Sequence, residues 1–487
     1  MPSTISSRSE RIHGLEEYRS ERSAHWDAQA EWSHAWDNPA TAYHERLREI
    51  YQLLIPAGSR VVELGCRTGD LLAATRPAFG LGIDISEKML AGAVTKHPDL
   101  RLMHADVHDL SCVKETFDFV ILSDLLNELH DVQAVFNEIK PLCHQRTRII
   151  SNFYSNLWLL PIQLAQKQGL ATQTLPQNWL TQEDVKNLFD LTGLELIRSW
   201  EEILLPVRIP ALSTIANKFL CKIWPFNHLA LTQMMVARIE PTSTEADSQP
   251  GVSIIIPARN EAGNIPSILE RTPKMGSETE LIFVEGGSTD KTCETIQKLI
   301  SNQTRLPARL IKQQWHGKGD AVRLGFSQAN NDVLIILDAD LSVSPEDLPR
   351  FYDALVSGKG EFLNGVRLVY PMQTKAMRFI NLLGNKFFSL GFSYVLGQPI
   401  KDTLCGTKVL HRSDYKRIVD NRAYFGNFDP FGDFDLLFGA AKYSMKIVDI
   451  PIRYQARTYG ETNIHRWRDG ILLMKMLVIA IKKLKFI

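Results

Sequence analysis

The stretch "NDVLIILDADLS", residues 331–342, joins an apolar run to two aspartates. An unbroken apolar run such as 333–337 is typical of a parallel strand that helices cover on both faces. In open sheets of this kind, ligands bind beyond the carboxyl ends of the strands. Asp338 and Asp340 leave the strand on the same side because side chains alternate along an extended chain. Two close carboxylates repel each other, so the stretch predicts a divalent metal site, with a pair capping the following helix as the alternative.

The composition describes an ordinary globular chain that is too long for one core. The 487 residues are 44% hydrophobic and 23% charged, which predicts two or three domains. Basic and acidic side chains balance at 55 each, so no overall positive field favours nucleic acid. The six cysteines form no CxxC pair, which argues against a disulfide framework and a zinc site and suits a reducing compartment.

Polar and turn-forming residues gather in "EPTSTEADSQPG", residues 240–251, and predict a linker at 241–250 between domains 1–240 and 251–487. On both sides of this linker, short apolar runs alternate with amphipathic stretches. This alternation predicts two α/β domains with mostly parallel sheets. Within the first domain, Thr181 precedes an amphipathic stretch and is predicted to cap a helix.

The two ends of the chain bear on its location. The N-terminal stretch lacks the apolar core of a secretory signal, and no segment reaches the roughly 20 apolar residues of a spanning helix. We therefore expect a cytoplasmic protein, peripheral to the inner face of the membrane. The final stretch, "GILLMKMLVIAIKKLKFI", suits either an interfacial helix or a terminal helix packed on the protein's own core. A second apolar stripe at helical spacing comprises Met377, Ile380, Leu383, Phe387 and Phe388.

The first domain opens with "RVVELGCRTGD", residues 60–70, a strand that runs into a glycine-containing turn and then a helix. Such a turn lets the backbone approach a ligand closely beside helix amides. Asp84 ends the next apolar stretch, 19 positions after Gly65, near the roughly 20 at which an acid receives ribose hydroxyls. The arrangement predicts a nucleoside site, and the absence of GxGxxG makes a nicotinamide cofactor the weaker choice.

Residues 40–155 resemble the class I S-adenosylmethionine-dependent methyltransferases. The resemblance rests on "VELGCRTG", "GLGIDIS", "HADVHDL" and "FDFVILSDLLNELHD". It implies S-adenosylmethionine as cofactor. The cofactor-binding residues that it implies are Glu63, Gly65, Gly69, Asp84 and Asp106. Arg67 departs from the pattern because it stands where the family usually has a glycine, and its side chain would either crowd the methionine moiety or point to solvent.

Methyl transfer depends mainly on aligning the nucleophile, the methyl group and the sulfur, so few side chains are obligatory. Ser123, Asp124, Asn127 and His130 lie near the expected mouth of the site. His130 is a candidate base for a sugar hydroxyl, with a solvated surface histidine as the alternative.

Residues 251–468 resemble the family 2 glycosyltransferases with the GT-A fold. The motifs are "VSIIIPARNEAGNI", "FVEGGSTDKT", "HGKGDAVRLG" and "LDADLS", in that order. The downstream pattern, which includes "DTLCGTKVL" and "PIRYQARTYGETN", is similar to the dolichyl-phosphate mannose and undecaprenyl-phosphate sugar synthases. The resemblance implies a nucleotide-sugar donor and Mg²⁺ or Mn²⁺ held by Asp338 and Asp340.

The resemblance also implies the residues that hold the donor. They are Pro257, Arg259, Asn260, Glu261, Glu285, Asp290 and Lys318. Glu285 and Gly286 replace the family's usual paired aspartates, which leaves the choice between UDP and GDP open.

Three arginines, Arg367, Arg378 and Arg457, match positions that gather around phosphates in the synthases. Guanidinium groups suit phosphate because their planar donors bond two oxygens at once. A prenyl phosphate acceptor, with a second pKa near about 6, attacks without a base. A sugar hydroxyl acceptor would need one, and Asp433 is then the candidate, with Asp435 in reserve.

These observations predict a bifunctional enzyme that glycosylates a polyprenyl phosphate and methylates a related glycan or lipid intermediate. Two alternatives stay open: a sugar-hydroxyl acceptor, and a first domain that serves as a scaffold without catalysis. The sequence leaves the oligomeric state undetermined.

Overall fold

The computed structural model describes residues 4–33, 41–168, 173–241, 249–302, 305–314, 317–367, 369–370, 379–424, 432, 434–455, 457, 459 and 466–486. The chain divides into two compact units, Met1–Glu240 and Pro241–Ile487.

The first unit is an α/β unit. Its helices are α1 (Thr4–Ser33), α2 (Thr41–Leu54), α3 (Asp70–Ala74), α4 (Glu87–Lys96), α5 (Val132–Glu138), α6 (Leu159–Lys167), α7 (Gln182–Thr192) and α8 (Leu212–Lys218). Its strands are β1 (Arg60–Leu64), β2 (Phe79–Asp84), β3 (Arg101–His104), β4 (Phe117–Ser123), β5 (Cys143–Tyr154), β6 (Leu194–Glu202) and β7 (Thr232–Ile239).

These strands form one sheet in the order β3-β2-β1-β4-β5-β7-β6. The five neighbouring strands β3, β2, β1, β4 and β5 are parallel, whereas β7 runs antiparallel to its neighbours β5 and β6. In β1, Val61 and Val62 belong to separate core clusters, so both faces of the strand are covered. Burial on both faces explains why this strand shows no regular alternation of apolar and polar residues.

Helix α7 begins as the sequence predicts. The Thr181 side chain accepts a hydrogen bond from the Asp184 amide, and the Asp184 carboxylate accepts one from the Thr181 amide. This reciprocal pair satisfies two amides that lack partners within the helix. The predicted cap is therefore confirmed.

The second unit is also α/β. Its helices are α9 (Ile265–Arg271), α10 (Thr292–Ser301), α11 (Lys318–Gln328), α12 (Leu348–Val356), α13 (Phe379–Leu396), α14 (Arg412–Asp420), α15 (Phe434–Lys442) and α16 (Arg466–Ala480). Its strands are β8 (Val252–Ala258), β9 (Thr279–Glu285), β10 (Ala308–Lys312), β11 (Val333–Ile336), β12 (Phe362–Val366), β13 (Lys408–His411) and β14 (Ile447–Pro451).

Strand β11, which the opening stretch predicts, lies at the centre of this sheet. The order is β10-β9-β8-β11-β13-β12-β14, with β11 parallel to β8 and antiparallel to β13. Val333 and Ile335 enter one core cluster, and Leu334 and Ile336 enter the other. The predicted strand, buried on both faces, is confirmed.

The C-terminal helix α16 packs on its own unit with one side and exposes the other. Leu473 and Leu477 are buried in the core, whereas Ile471 and Val478 are exposed. Of the stripe predicted around α13, Phe388 is buried and Leu383 and Phe387 are exposed. Met377 and the side chain of Ile380 lie outside the described residues. In the part of the chain that the structure describes, no helix combines the length and the apolarity needed to cross a membrane.

Candidate functional site

The first unit has a pocket at the carboxyl ends of β1, β2 and β4, the edge where parallel sheets bind ligands. Its lining comprises Tyr18, Arg22, Trp26, Gly65, Arg67, Asp84, Ile85, Ala105, Asp106, Val107, Ser123, Asp124, Leu125, Glu128 and Leu129. Of the predicted cofactor residues, the structure brings Gly65, Asp84 and Asp106 together here. Glu63 and Gly69 lie outside the lining.

Glu63 and Gly69 lie on either side of the turn that borders the pocket. Glu63 is buried within β1, and burial raises the pKa of its carboxyl to about 8. Gly69 adopts a φ of 71° and immediately precedes α3. Gly65 has a φ of 72°, and a Cβ there would lie 2.9 Å from Leu125 Cδ1, so this turn requires glycine.

Asp84 is fixed by backbone donors at the end of β2. Its Oδ2 accepts a hydrogen bond from the Arg67 amide at 2.8 Å, and its Oδ1 accepts one from the Ser86 amide at 2.9 Å. Burial raises the pKa of this carboxyl above its usual range. A carboxylate oriented in this way suits the hydroxyls of a ribose.

Arg67 lines the pocket and does not point to solvent. Its guanidinium lies over the Trp26 ring, 4.5 Å from the ring centroid, in a cation–π contact. Its backbone φ of 49° lies in the left-handed region that side chains rarely adopt. The side chain that departs from the methyltransferase pattern therefore occupies space inside the site.

Helix α1 covers one side of this pocket, a contribution that the sequence motifs did not predict. Tyr18 donates a hydrogen bond to the Glu128 carbonyl at 2.6 Å, and Arg22 pairs with the Glu128 carboxylate. Asp27 accepts a hydrogen bond from the Ser86 hydroxyl at 2.6 Å. Arg22 and Trp26, four positions apart on one helix face, were the available signal.

The Asp106 carboxylate interacts with two side chains. Arg19 of α1 pairs with its Oδ2, and His108 lies 2.7 Å from its Oδ1. Burial by itself would raise the pKa of Asp106, but the hydrogen bonds from His108 and Arg19 outweigh it and lower the pKa to about 2.

Asp124 is the buried acid at the mouth of the pocket. Its Oδ1 accepts hydrogen bonds from the Tyr43 hydroxyl at 2.7 Å and from Asn152 Nδ2 at 2.6 Å. Burial raises the pKa of this carboxyl to about 6. Its Oδ2 receives no hydrogen bond from any described residue, which leaves one oxygen for a ligand.

The other predicted mouth residues differ in their surroundings. Ser123 lines the pocket. Asn127 is buried and serves the fold, since it donates to the Asn178 carbonyl at 2.7 Å and accepts from the Tyr154 amide at 3.0 Å. His130 is exposed, with its ring 5.4 Å from that of Tyr18.

In the second unit, both aspartates of the opening stretch already face cations. Asp338 Oδ1 lies 2.7 Å from Lys318 Nζ, and Asp340 Oδ2 lies 2.7 Å from Arg457 Nη2. Burial would raise the pKa of Asp338, but Lys318 outweighs it and lowers the pKa. Positive side chains thus neutralise the carboxylate repulsion that the sequence predicts.

Asp338 and Asp340 supply the ligand type, carboxylate oxygen, that Mg²⁺ takes in proteins. No group of three or more His, Cys, Asp or Glu side chains suitable for a metal occurs among the described residues. Mg²⁺ commonly uses one or two carboxylates and takes its other ligands from substrate phosphates and water. A Cβ on Gly406 would overlap Asp338 Oδ2 and Lys318 Nζ, so glycine leaves room for this pair.

Four of the predicted donor residues, Arg259, Asn260, Glu261 and Asp290, lie on the loops that follow β8 and β9. Asn260, with a φ of 59°, accepts a hydrogen bond from the Thr289 amide at 2.8 Å and donates its own amide to Ser288 at 3.0 Å. Glu261 donates its amide to Thr292 at 2.8 Å. These bonds join the two loops into one wall.

Adjacent strands also bring the remaining donor residues together. Pro257 and Ala258 of β8 pair with Val284 and Glu285 of β9. The Glu285 carboxylate accepts a hydrogen bond from the Ser288 amide at 2.5 Å, so it holds its own turn. Arg259 extends the wall with an exposed side chain.

The segment after β14 contributes the predicted Arg457 and one residue that the sequence reasoning missed, Tyr459. Tyr459 donates a hydrogen bond to Asp290 at 3.3 Å and packs where a Cβ on Gly263 would lie, 2.5 Å from its ring. Arg457 lies 3.7 Å from Glu261 as well as against Asp340. The signal was the run "RYQARTYG", which combines arginine and tyrosine near the end of the resemblance.

The other predicted phosphate and base residues are only partly described. Arg367 is nearly buried and forms a two-pronged pair with Asp402, at 2.7 and 2.9 Å. Its phosphate role stays a prediction. Arg378 and Asp433 lie outside the described residues. Asp435, the reserve base, is buried 3.1 Å from Arg422.

Comparison with protein families separates the two units. Residues 40–199 match the family described as a methyltransferase domain, and residues 253–419 match glycosyl transferase family 2. The chain joins a methyltransferase domain to a glycosyltransferase family 2 domain. Together with the two sheets, these matches confirm the predicted pair of folds, a class I methyltransferase fold followed by a GT-A fold.

The glycosyltransferase domain has curated relatives. The undecaprenyl-phosphate 4-deoxy-4-formamido-L-arabinose transferase of Proteus mirabilis is 37% identical over 215 residues, which cover 43% of this chain and 62% of the relative. The enzyme of the same name from Photorhabdus laumondii is 38% identical over 112 residues, which cover 22% of this chain and 34% of the relative. The chain therefore spans less than two thirds of the length of either relative.

Solved structures align weakly with the chain. A glucosyl-3-phosphoglycerate synthase from Mycobacterium tuberculosis covers 50% of this chain and 82% of its own, at 17% identity and a TM-score of 0.36. An S-adenosylmethionine-dependent methyltransferase from Mesorhizobium loti aligns over 39% of this chain and 96% of its own, at 20% identity and a TM-score of 0.32. These scores are too low to inform on either site.

Proposed function

We propose that the chain is a bifunctional enzyme. The glycosyltransferase domain moves a sugar from a nucleotide-sugar donor to a polyprenyl phosphate. The methyltransferase domain methylates a related glycan or lipid-linked intermediate with S-adenosylmethionine. The observation that carries the proposal is the acidic pair after β11, Asp338 and Asp340, each of which lies against a cation, in a domain that is similar to enzymes named for undecaprenyl phosphate.

The donor end of the glycosyltransferase site carries opposed charges. Asp338 and Asp340 would hold Mg²⁺ or Mn²⁺, which stabilises the developing charge of a diphosphate leaving group. Lys318 and Arg457 lie against these carboxylates and so place two cations beside the same phosphates. Tyr459, held by Asp290, borders the nucleoside side of the wall.

Two features favour a phosphate acceptor over a sugar hydroxyl. A phosphate monoester is largely ionised at neutral pH and needs no base, because its second pKa is about 6. Asp435, the reserve base, is buried beside Arg422, which suits a structural partner better than a proton acceptor.

Membrane association belongs to the same proposal. A polyprenyl phosphate resides in a bilayer, and α13 and α16 each expose apolar side chains, including Leu390 and Ile471. Lysines at 482, 483 and 485 follow this surface and suit anionic headgroups.

The glycosyltransferase proposal is tested with purified full-length protein, Mn²⁺, undecaprenyl phosphate in detergent and panels of UDP- and GDP-sugars. We expect a lipid-linked sugar product with at least one donor and its loss in Asp338→Asn. Asp332→Asn, an exposed carboxylate beside Arg412, is the matched control and should keep activity. Transfer to free sugars without transfer to the lipid phosphate would overturn the acceptor.

A scaffold role is the second candidate for the methyltransferase domain, because Arg67 stacks on Trp26 inside the pocket. Calorimetric titration with S-adenosylmethionine separates the two. Binding by the wild type that Asp84→Ala abolishes, and the exposed Asp99→Ala retains, supports catalysis. Binding that appears only in Arg67→Gly identifies a pocket closed by Arg67 and supports the scaffold.

A further inference from the structure

Two long connections of the methyltransferase domain begin at the end of the sheet where the pocket lies, and we call them insertions. The first, residues 155–181, follows β5, and the second, residues 203–231, connects β6 to β7. Tyr154 at the end of β5 and Glu202 at the end of β6 both pair with Thr232 at the start of β7. Because β5 runs parallel to β4, this edge is also where Ser123 meets the pocket.

Both insertions expose large apolar side chains. We name this surface the apolar collar. It comprises Leu157, Leu160, Leu164, Val207, Ile209, Leu212, Ile215, Phe219, Ile223, Trp224, Phe226 and Leu229. Trp224 is 77% exposed and Leu160 is 73% exposed. Monomeric proteins rarely expose contiguous apolar patches larger than roughly a few hundred Å², and larger ones mark interaction sites.

Hydrogen bonds hold the collar in place. Trp158 of the first insertion donates its ring N–H to the Leu229 carbonyl of the second at 2.9 Å. The buried Asn217 exchanges two 2.8 Å bonds with the Leu205 backbone. The exposed side chains therefore stand on an ordered support.

The charged side chains within the two insertions have one sign. Residues 155–181 and 203–231 contain no Asp or Glu. Lys167 and Arg208 are exposed, and Lys218 is half-buried. Apolar side chains edged by lysine and arginine suit the surface of an anionic bilayer, where the apolar groups enter the interface and the cations meet lipid phosphates.

We propose that the apolar collar docks the methyltransferase domain onto an anionic bilayer and sets its pocket at the lipid surface. The inference deepens the proposed function, on which it rests for its substrate: the methyl acceptor is then a lipid-linked molecule that the pocket meets at the interface. The surface is separate from α13 and α16, which belong to the other domain.

Vesicle co-sedimentation of the full-length protein tests the docking. We expect binding to phosphatidylcholine vesicles that contain phosphatidylglycerol and weaker binding to phosphatidylcholine alone. The double variant Leu160→Ser/Trp224→Ser should bind the anionic vesicles at least about tenfold more weakly, because two of the most exposed apolar groups are removed. Val94→Ser/Leu191→Ser, which removes exposed apolar groups from α4 and α7, is the matched control and should bind like the wild type.

Two results would overturn the proposal. One is vesicle binding by the collar variant equal to that of the wild type, which would assign membrane contact to another surface. The other is a wild-type oligomer, measured by light scattering, that the collar variant converts to monomers, which would make the collar an interface between copies. Circular dichroism checks that both variants are folded.

The titration with S-adenosylmethionine separates this proposal from the proposed function. Loss of vesicle binding in the collar variant, in a protein that binds no S-adenosylmethionine, leaves the docking supported and refutes the methyltransferase activity. If the protein binds S-adenosylmethionine but the collar variant binds vesicles as the wild type does, the methyltransferase proposal is supported and the docking is refuted.

Discussion

Asp402→Ala is expected to destabilise the glycosyltransferase domain strongly. Asp402 is fully buried, and its carboxylate accepts two hydrogen bonds from the Arg367 guanidinium, one from the Arg367 amide at 3.1 Å and one from Asn385 at 3.0 Å. The substitution leaves the guanidinium of Arg367, a residue that is 9% exposed, without its counterion. Removing one partner of a buried ion pair costs about 3–5 kcal/mol.

The pKa of Asp402 gives a second measure of the same pair. Burial would raise this pKa, but Arg367 outweighs it and lowers the pKa from 3.8 to about 2. The difference corresponds to about 2.5 kcal/mol in favour of the carboxylate. Because the folded pKa is the lower one, this stability is present above the unfolded pKa near 4 and is lost as the pH falls through about 2. Asp402→Ala should lack this acid-dependent loss.

Urea unfolding at pH 7, followed by circular dichroism, measures the change, and differential calorimetry assigns it to one domain. At roughly 2–4 °C per kcal/mol for a domain of this size, the melting temperature should fall by about 10 °C. Asp332→Ala is the control. Asp332 pairs with Arg412 at 3.4 Å but is 69% exposed, so its loss should cost less than about 1 kcal/mol. A loss of under about 1 kcal/mol in Asp402→Ala would refute the buried pair as a structural element and return Arg367 to the phosphate site.

Three further outcomes are expected. Gly406→Ala should weaken Mn²⁺-dependent binding of UDP or GDP in calorimetry, because its Cβ would overlap Asp338 Oδ2 and Lys318 Nζ, while Gly470→Ala, with open space around its added Cβ, should bind normally. Arg457→Gln should tighten Mn²⁺ binding to the nucleotide-free protein by up to about fivefold, since a competing cation worth roughly 1 kcal/mol is removed; unchanged or weaker binding contradicts this competition. Between pH 5 and 8 the unfolding free energy of the wild type should fall relative to that of Glu63→Gln. Burial raises the pKa of Glu63 to about 8, so in this pH range only the unfolded chain loses the Glu63 proton. Urea midpoints of the two proteins that change in parallel with pH would contradict this prediction.

Local patterns in the sequence predicted the fold and the positions of the acidic residues at the two sites. The continuous apolar run of β11 indicated a strand covered on both faces, since burial on both sides leaves no polar alternation. The same logic placed Asp84, Asp338 and Asp340 at strand ends, where parallel sheets bind ligands.

Only the tertiary structure decided which charges meet. Arg457 lies 117 positions from Asp340, and Arg19 lies 87 positions from Asp106, so no periodicity or spacing connects them. Arg367 and Asp402 lie 35 positions apart, and no sequence pattern likewise connects this buried pair.

The division has a physical reason. Strand and helix formation depends on residues within one or two turns of each other, and a single sequence displays that pattern directly. Ion pairs across a site depend on where distant loops return to the sheet, and side-chain charges have no period that records it. The sequence therefore determined two α/β domains and the acids at their strand ends. The folded chain determined that α1 covers the pocket of the first unit and that Lys318 and Arg457 pair with Asp338 and Asp340 in the second.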